Sequence, residues 1–240
     1  MNSSEHASRR PGQSTSEVTP TVLIVDGDVS VRKSLELLIR PAGWRLETFV
    51  SAREFLACPR RSAPRCLVLD VALPDLNGLD LQKLVADRTE MPVIFLTACR
   101  DVSMTVEAMK AGAFEFLAKP CRDDLLLGTV RQAIELSQTE VKRQAALVAL
   151  RTRYASLSPR EREVMALVIS GRLNKQVAGE LGISEITVKA HRGRMMRKMR
   201  AGSVADLVNM AIRLRLPLAP FRRTPQPIDR SMLALESGLA

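Results

Sequence analysis

The sequence has few of the residues from which metal centres are built. It contains two histidines, His6 and His191, and its four cysteines show neither a C-x-x-C spacing nor a histidine partner. Because structural zinc is held by clustered cysteines and histidines, a zinc site is not expected. Cysteines with this spacing are typical of reduced thiols in a cytosolic protein.

Long hydrophobic runs are also missing. No apolar run approaches the roughly 18 residues that a membrane span needs. Residues 1–20 are rich in Ser, Thr, Glu and Arg and lack the apolar core of a signal peptide, so a disordered tail is predicted there. We expect a cytoplasmic protein without a membrane partner, and a second disordered tail at 217–240, where prolines stand among few apolar residues.

Positive charge is abundant and unevenly distributed. The net charge is +10, but residues 21–136 carry 15 Lys or Arg against 16 Asp or Glu, whereas residues 137–240 carry 19 against 8. This asymmetry predicts that a polyanion binds to the second half. With 240 residues, the chain is long enough for two modest domains.

Residues 21–136 alternate short apolar runs with segments of helical period. Such runs indicate buried strands of a parallel sheet with helices on both faces. The runs are Thr21–Val25, Arg45–Phe49, Cys66–Leu69, Val93–Leu96 and Phe114–Leu117. The helical segments are Val29–Arg40, Ala52–Ala57, Leu79–Arg88, Val102–Lys110 and one beginning near Asp123. The last helix is predicted to continue through residues 137–154 as a linker, in which Ser137 and Gln144 interrupt a weak heptad pattern.

Polar residues occur at the ends of four predicted strands. Asp26 and Asp28 follow the first strand, Asp70 the third and Lys119 the fifth, while Thr97 ends the fourth. Because the carboxyl ends of parallel strands share one edge, these side chains are expected to converge. The set suits a phosphoryl group on a carboxylate: Asp70 attacks, a divalent cation neutralises charge, and Thr97 and Lys119 contact the phosphoryl oxygens.

Residues 158–199 have the layout of a DNA-binding helix-turn-helix. A capping box at Ser158 and Glu161 begins the helix Pro159–Ser170. Gly182 ends the helix Asn174–Leu181, and Ser184 caps the next helix. In that third helix, Glu185–Met199, the residues expected to face a core are Ile186, Val188, Met195 and Met199. Those left for solvent or a polyanion are Lys189, Arg192, Arg194, Arg197 and Lys198.

Several motifs carry a family resemblance. Residues 21–136 resemble a response-regulator receiver domain through LIVDGDVSVRKSL, CLVLDVALPDLNGLDL, VIFLTA and GAFEFLAKP. Residues 155–216 resemble the LuxR-type helix-turn-helix of the NarL/FixJ family through LSPREREVMALVISGRLNKQVAGELGISEITVKAHRGRMMRKM. The order of the motifs is that of a two-component transcription factor. The fold implied is a flavodoxin-like, doubly wound five-stranded parallel sheet followed by an all-α, four-helix DNA-binding domain.

The resemblance also implies how the first half works. A partner histidine kinase would phosphorylate Asp70, and Thr97 and Phe116 would form the switch pair. Mg²⁺ would be held by Asp26, Asp70 and the backbone of Ala72. A dimer face would lie on the fourth helix and fifth strand, near Val102–Leu117.

The first half departs from the family pattern at one position. Such receivers carry adjacent acids after the first strand, the second of which binds Mg²⁺, whereas Gly27 stands here between Asp26 and Asp28. A glycine offers no side-chain oxygen, so Asp28 either reaches the metal through a local shift of the backbone or points elsewhere. We expect weak Mg²⁺ binding and weakened phosphorylation. The alternative is a degenerate receiver, in a regulator that works without phosphorylation.

The resemblance places DNA contacts on the second half. The base-facing positions correspond to Lys189, Ala190 and Gly193. The residues assigned to DNA are Asn174, Lys175, Thr187, Lys189, Ala190, His191, Arg192, Arg194 and Arg197, with the arginines expected on phosphates. The final helix, Ser203–Leu214, is expected to support a homodimer on DNA.

An enzyme interpretation remains as a remote alternative. LIVDGDVSV also fits the opening of haloacid dehalogenase-type phosphatases, with Asp26 as nucleophile and Asp28 as acid or base. No cap domain is evident, Asp123 and Asp124 are a poor metal-binding pair, and the basic helix-turn-helix would have no role. We therefore expect a regulator without catalytic residues.

Overall fold

The computed structural model describes residues 19–98 and 101–217, so the predicted tails lie almost entirely outside the described residues. The chain divides into two compact units between Ala145 and Ala146. Within the described ranges, no helix combines the length and the apolarity that crossing a membrane requires.

The first unit is built on five parallel strands, in the order β2-β1-β3-β4-β5. Their bounds are β1 Thr21–Val25, β2 Arg45–Phe49, β3 Arg65–Leu69, β4 Val93–Thr97 and β5 Glu115–Ala118. β3 and β4 are buried at every residue, because helices cover both faces of the sheet. The predicted sheet is thereby confirmed, with strand ends shifted by one residue.

Among the described residues, five α-helices belong to the first unit or continue from it, and a short 3-10 helix, Arg40–Ala42, follows the first of them. The α-helices are α1 Val29–Ile39, α2 Ala52–Ala57, α3 Gly78–Leu84, α4 Val102–Lys110 and α5 Asp123–Ala155. Each of the first four begins at a polar N-cap, namely Asp28, Ser51, Asn77 and Asp101, whose side chain accepts a hydrogen bond from a first-turn amide. The prediction that α3 reaches Arg88 is wrong: the amides of Val85 and Arg88 make tight-turn hydrogen bonds to Gln82 and Val85.

The sheet separates two apolar layers. Leu67 and Leu69 of β3 pack with Phe55, Leu81 and Phe95 on the face covered by α2, α3 and α4. The intervening residues of β3 pack on the opposite face, which α1 and α5 cover. This alternation follows from the two-residue repeat of a strand.

Ser137 of α5 anchors this helix to the sheet rather than serving as a heptad position. Its side chain is fully buried. The hydroxyl accepts a 2.8 Å hydrogen bond from the Arg65 amide at the start of β3 and donates to the carbonyl of Glu90. It therefore satisfies one backbone group at the start of β3 and another in the turn before β4.

The second unit is helical. Its elements after α5 are α6 Pro159–Ile169, α7 Asn174–Leu181, α8 Glu185–Met199 and α9 Val204–Arg213. The capping box at Ser158 is present, and Gly182 ends α7 in the left-handed conformation that glycine tolerates. Val188, Met195 and Met199 of α8 are completely buried, as predicted from the helical period.

Candidate functional site

The strand register brings three charged side chains to one edge of the sheet. Val25 of β1 pairs with Leu69 of β3, so Asp26 and Asp70 leave the sheet next to each other. Thr97 pairs with Ala118, which places Lys119 beside them. The Nζ atom of Lys119 lies 2.6 Å from Oδ2 of Asp26 and 2.7 Å from Oδ2 of Asp70.

The three side chains form a mostly buried ion cluster, exposed by 18% for Lys119, 4% for Asp26 and 12% for Asp70. Burial alone lowers the pKa of Lys119 and is the largest single influence. The hydrogen bonds to Asp26 and Asp70 together outweigh it, so the pKa of Lys119 is raised. The ammonium is therefore held in its charged form between two carboxylates.

Gly78 allows the chain after β3 to sit close to α3. Its amide donates to the Val71 carbonyl over 2.8 Å. A Cβ atom at this position would lie 2.3 Å from the backbone oxygen of Asp70 and 2.9 Å from Cα of Val71. A side chain here would displace Asp70, so Gly78 helps to position the carboxylate. This role was not predicted from the sequence, because the close approach joins the two ends of the loop between β3 and α3.

Asp28 does not join the cluster of Asp26, Asp70 and Lys119, which is called the carboxylate cluster below. Its Oδ1 atom accepts a 2.7 Å hydrogen bond from the Ser30 amide and caps α1. Its backbone amide donates to Oδ1 of Asp26 over 2.8 Å, which helps to orient Asp26. The phosphatase interpretation needs Asp26 and Asp28 to face the same substrate, and this arrangement does not provide that.

With Asp28 turned away, few oxygen atoms are left near Asp26 and Asp70 to bind a metal ion. In the described ranges, no group of three or more His, Cys, Asp or Glu is arranged to hold a metal ion. Two carboxylates, Asp26 and Asp70, stand beside Ala72, whose amide donates to Oδ1 of Asp70 over 3.2 Å. Mg²⁺ in proteins is often held by only one or two carboxylates together with water and phosphate oxygens. The set fits Mg²⁺ held loosely.

The two residues assigned to the switch lie on neighbouring strands. Thr97, at the end of β4, is 1% exposed. Phe116 of β5 is partly buried, and its ring centroid lies 5.8 Å from that of Phe95. Phe116 is therefore packed against the core, on the strand that leads into Lys119.

The second unit presents cations along α8. Lys189, Arg194 and Arg197 are exposed. Arg192 donates to Oδ1 of Asn174 over 3.0 Å, so these two residues, both assigned to DNA, are linked to each other. The basic face is thus formed by α8 and the beginning of α7.

The other residues assigned to DNA have less uniform positions. Lys175 is exposed at the start of α7. The Thr187 hydroxyl lies 2.8 Å from that of Ser184 within the helix cap. Nδ1 of His191 lies 3.3 Å from Arg194, and Ala190 is exposed. None of these side chains is buried, so all are placed on or near the surface of α8 and α7.

Glu161 of α6 stabilises α8 through an ion pair with Lys198. Its side chain is 4% exposed and accepts hydrogen bonds from Nζ of Lys198 over 2.7 Å and from the Ser158 amide over 2.8 Å. Burial raises the pKa of Glu161, but the Lys198 and Ser158 hydrogen bonds outweigh it, so the pKa is lowered. Lys198 is therefore committed to this ion pair rather than left free for a polyanion.

The prediction that Ile186 faces the core is wrong. Its side chain is 79% exposed in the first turn of α8. The helical period contained the signal: Ile186 precedes Ala190 by four residues and Gly193 by seven, whereas the buried Val188 points to the opposite side. Apolar character alone had suggested burial.

Two known protein families match the two units. The family described as response regulator receiver domain matches residues 22–131. The family described as bacterial regulatory proteins, luxR family, matches residues 155–211. Together they cover the carboxylate cluster and the whole of α6, α7 and α8.

Known proteins align with this chain across both units. Nodulation protein W of Bradyrhizobium diazoefficiens is 46% identical over 201 residues, which are 83% of this chain and 88% of that protein. The transcriptional regulatory protein FixJ of the same organism is 38% identical, over 80% of this chain and 94% of that protein. The solved structure of the response regulator StyR is 42% identical, with a TM-score of 0.73, over 81% of this chain and 99% of that chain.

Proposed function

Because this chain belongs to the response regulators that join a receiver domain to a LuxR-type DNA-binding domain, we propose that phosphorylation of Asp70 controls its binding to DNA. The observation that carries the proposal is the cluster of Asp26, Lys119 and Asp70 at the carboxyl edge of the sheet. The donor is a sensor histidine kinase, as the receiver domain implies.

The proposed reaction is a phosphoryl transfer. An Oδ atom of Asp70 attacks the phosphorus of a phosphohistidine, the P–N bond breaks, and the histidine nitrogen leaves with its electron pair and takes up a proton. Asp26, Asp70 and the carbonyl of Ala72 would hold Mg²⁺, which neutralises phosphoryl charge when bound. Lys119 then exchanges its bond to the Asp70 carboxylate for one to a phosphoryl oxygen. Thr97 contacts a second oxygen, and Phe116 turns inward behind it.

Gly27 weakens this chemistry. The glycine supplies no carboxylate, and Asp28 is engaged as the N-cap of α1. Fewer anionic ligands mean lower Mg²⁺ affinity, and hence slower phosphorylation at a given Mg²⁺ concentration. The second candidate function follows from the same observation: a regulator whose degenerate receiver acts without phosphorylation.

The output of the proposed switch is DNA binding by a homodimer. We assign the receiver to residues 21–136, a helical linker to 137–154 and the DNA-binding domain to 155–216. Dimer formation would use α4 and β5 in the receiver and α9 on DNA. We place the protein in the cytoplasm, where the kinase and DNA are both accessible, and assign it no catalytic turnover apart from its own phosphorylation and dephosphorylation.

Intact-mass measurement tests the assignment of Asp70. The full-length chain is incubated with Mg²⁺ and acetyl phosphate, and in parallel with phosphoramidate. We expect a gain of one phosphoryl group, lost in Asp70→Asn. The matched control is Asp87→Asn, which removes an exposed carboxylate paired with Arg60 and should keep the adduct.

Two results would contradict the proposal. An adduct that persists in Asp70→Asn would mean that another residue accepts the phosphoryl group. No adduct from either donor, even at high Mg²⁺, would favour the regulator with a degenerate receiver.

A further inference from the structure

Ile186 is the most exposed large apolar side chain among residues 19–98 and 101–217, at 79%. It occupies the second position of α8, directly after Glu185. Leaving an isoleucine in water forgoes the favourable free energy that burial of such a side chain provides. A binding partner that covers it would recover this free energy.

The side chain lies on the face of α8 that points away from the core. Ile186, Ala190, Gly193 and Arg197 are spaced by four, three and four residues, so they form one stripe along the helix. Val188 and Met195 lie on the other side of the helix and are fully buried. The stripe therefore belongs to the surface that helix-turn-helix proteins insert into the major groove.

The residues in the middle of this stripe have short side chains or none. Ala190 has only a methyl group, and a Cβ atom built on Gly193 would meet nothing within 4 Å. A helix with short side chains at its centre can approach the groove floor closely. Ile186, one turn nearer the N-terminus, would then reach the base edges together with Lys189.

The chemistry of the surroundings identifies the partner as DNA. Lys189, Arg194 and Arg197 are exposed on the same helix, and Arg192 lies alongside. Positive charge along the helix that carries an exposed apolar side chain complements a groove lined by phosphates, whose floor presents one apolar group, the 5-methyl group of thymine.

We propose that Ile186 is a specificity-determining residue that contacts a thymine methyl group in each half-site. This inference rests on the proposed function, since it requires that α8 enters DNA. It predicts that recognition at one base pair depends on a single methyl group, and that the dependence disappears when the isoleucine is shortened.

The test uses duplexes selected from a randomised pool by the full-length chain, with Mg²⁺ and acetyl phosphate and also without them. Each thymine of the enriched sequence is then replaced by deoxyuridine, which lacks only the methyl group. At one position per half-site we expect about fourfold weaker binding, the value of burying one carbon. In Ile186→Ala the same replacement should change affinity by less than about 1.5-fold.

Leu37→Ala is the matched control, because Leu37 is 77% exposed but lies on α1 of the first unit. It should keep the full effect of deoxyuridine. Circular dichroism checks that Ile186→Ala retains its helices, which alanine favours.

Other results would overturn the inference. One is an equal deoxyuridine penalty in wild type and Ile186→Ala, and another is no penalty at any thymine in wild type. A changed monomer–dimer equilibrium in Ile186→Ala with unchanged base preference would assign the side chain to a protein contact instead. If no sequence were enriched under either condition, the proposed function would fail as well.

Discussion

The charged residues at the carboxyl edge of the first unit's sheet are buried and paired, whereas most of those on α8 of the second unit stand in solvent. Lys119 bridges Asp26 and Asp70, which come from strands far apart in the sequence. Lys189 and Arg197 lie on the same helix and are exposed. The first arrangement suits a reaction at one atom, and the second suits attraction to an extended polyanion.

This difference determines how each site responds to substitution. Removing one member of a buried ion cluster leaves an uncompensated charge in a poorly solvated place. Removing one exposed cation loses a screened interaction that its neighbours partly replace. Single changes in the cluster of Asp26, Asp70 and Lys119 should therefore be severe, and those on the exposed face of α8 should be mild and cumulative.

The largest effect is expected for Lys119→Met. The substitution leaves Asp26 and Asp70 without their shared cation, and should lower the free energy of unfolding of the first unit by about 3 kcal/mol. Urea denaturation of the full-length chain measures it. Lys83→Met, which removes an exposed lysine between Asp80 and Glu107, should cause no measurable change. Equal effects of the two substitutions would end the distinction between buried and exposed charges.

Glu161→Ala should come next, because Glu161 is the buried acid of the second unit. It removes the N-cap partner of Ser158 and the acceptor of Lys198, and should cost about 2 kcal/mol of unfolding free energy. The control Glu163→Ala removes an exposed acid paired with Arg160. Thermal or urea unfolding of the control should match wild type.

The same carboxylate predicts a pH dependence. The pKa of Glu161 is lowered from the ordinary value of 4.5, so its stabilising contribution is fully present above about pH 4.5 and is lost as the pH falls through the lower, folded-state pKa. The stability difference between wild type and Glu161→Gln should therefore shrink in that acidic range. A difference that stayed constant down to pH 2 would contradict the role of the ionised form.

Gly27→Asp tests whether the Mg²⁺ site of the first unit is weak because one carboxylate ligand is missing. A Cβ atom at Gly27 would lie 3.4 Å from Cδ of Pro74, an ordinary contact, and the backbone is outside the left-handed region. We expect roughly tenfold tighter Mg²⁺ binding, measured by calorimetry, and faster adduct formation with acetyl phosphate. Gly27→Asn supplies a neutral oxygen as the control. Unchanged affinity in both would show that Gly27 is not what limits the site.

The smallest expected effect is a change in the salt dependence of DNA binding, which distinguishes Arg197 from Ile186. Arg197→Ala should weaken binding uniformly across DNA sequences and reduce the slope of log affinity against log salt by about one. Ile186→Ala should leave this slope unchanged while altering base preference. Affinity titrations at several salt concentrations distinguish them, and a reduced slope in Ile186→Ala would contradict an apolar contact.

Local features were predictable from the sequence. The helix caps at Ser158, Ser184 and Gly182 depend on neighbouring backbone amides, and the strands depend on short apolar runs. The positions of the caps and strands were therefore predicted within a residue or two. Features that depend on how the chain folds back on itself were not. Neither the burial of Ser137 beneath β3 nor the need for Gly78 beside Asp70 leaves a local pattern.

The sequence by itself determined the two classes of structure, the parallel sheet and the helix-turn-helix, because hydrophobic period and capping residues act over a few positions. It also determined which charged residues lie at the carboxyl edge of the sheet and which lie on α8. Only the tertiary structure decided that Lys198 pairs with the buried Glu161 instead of facing a polyanion, and that Ser137 lies buried at the start of β3. The physical reason is that side-chain direction and burial depend on neighbours that the fold, not the local sequence, supplies.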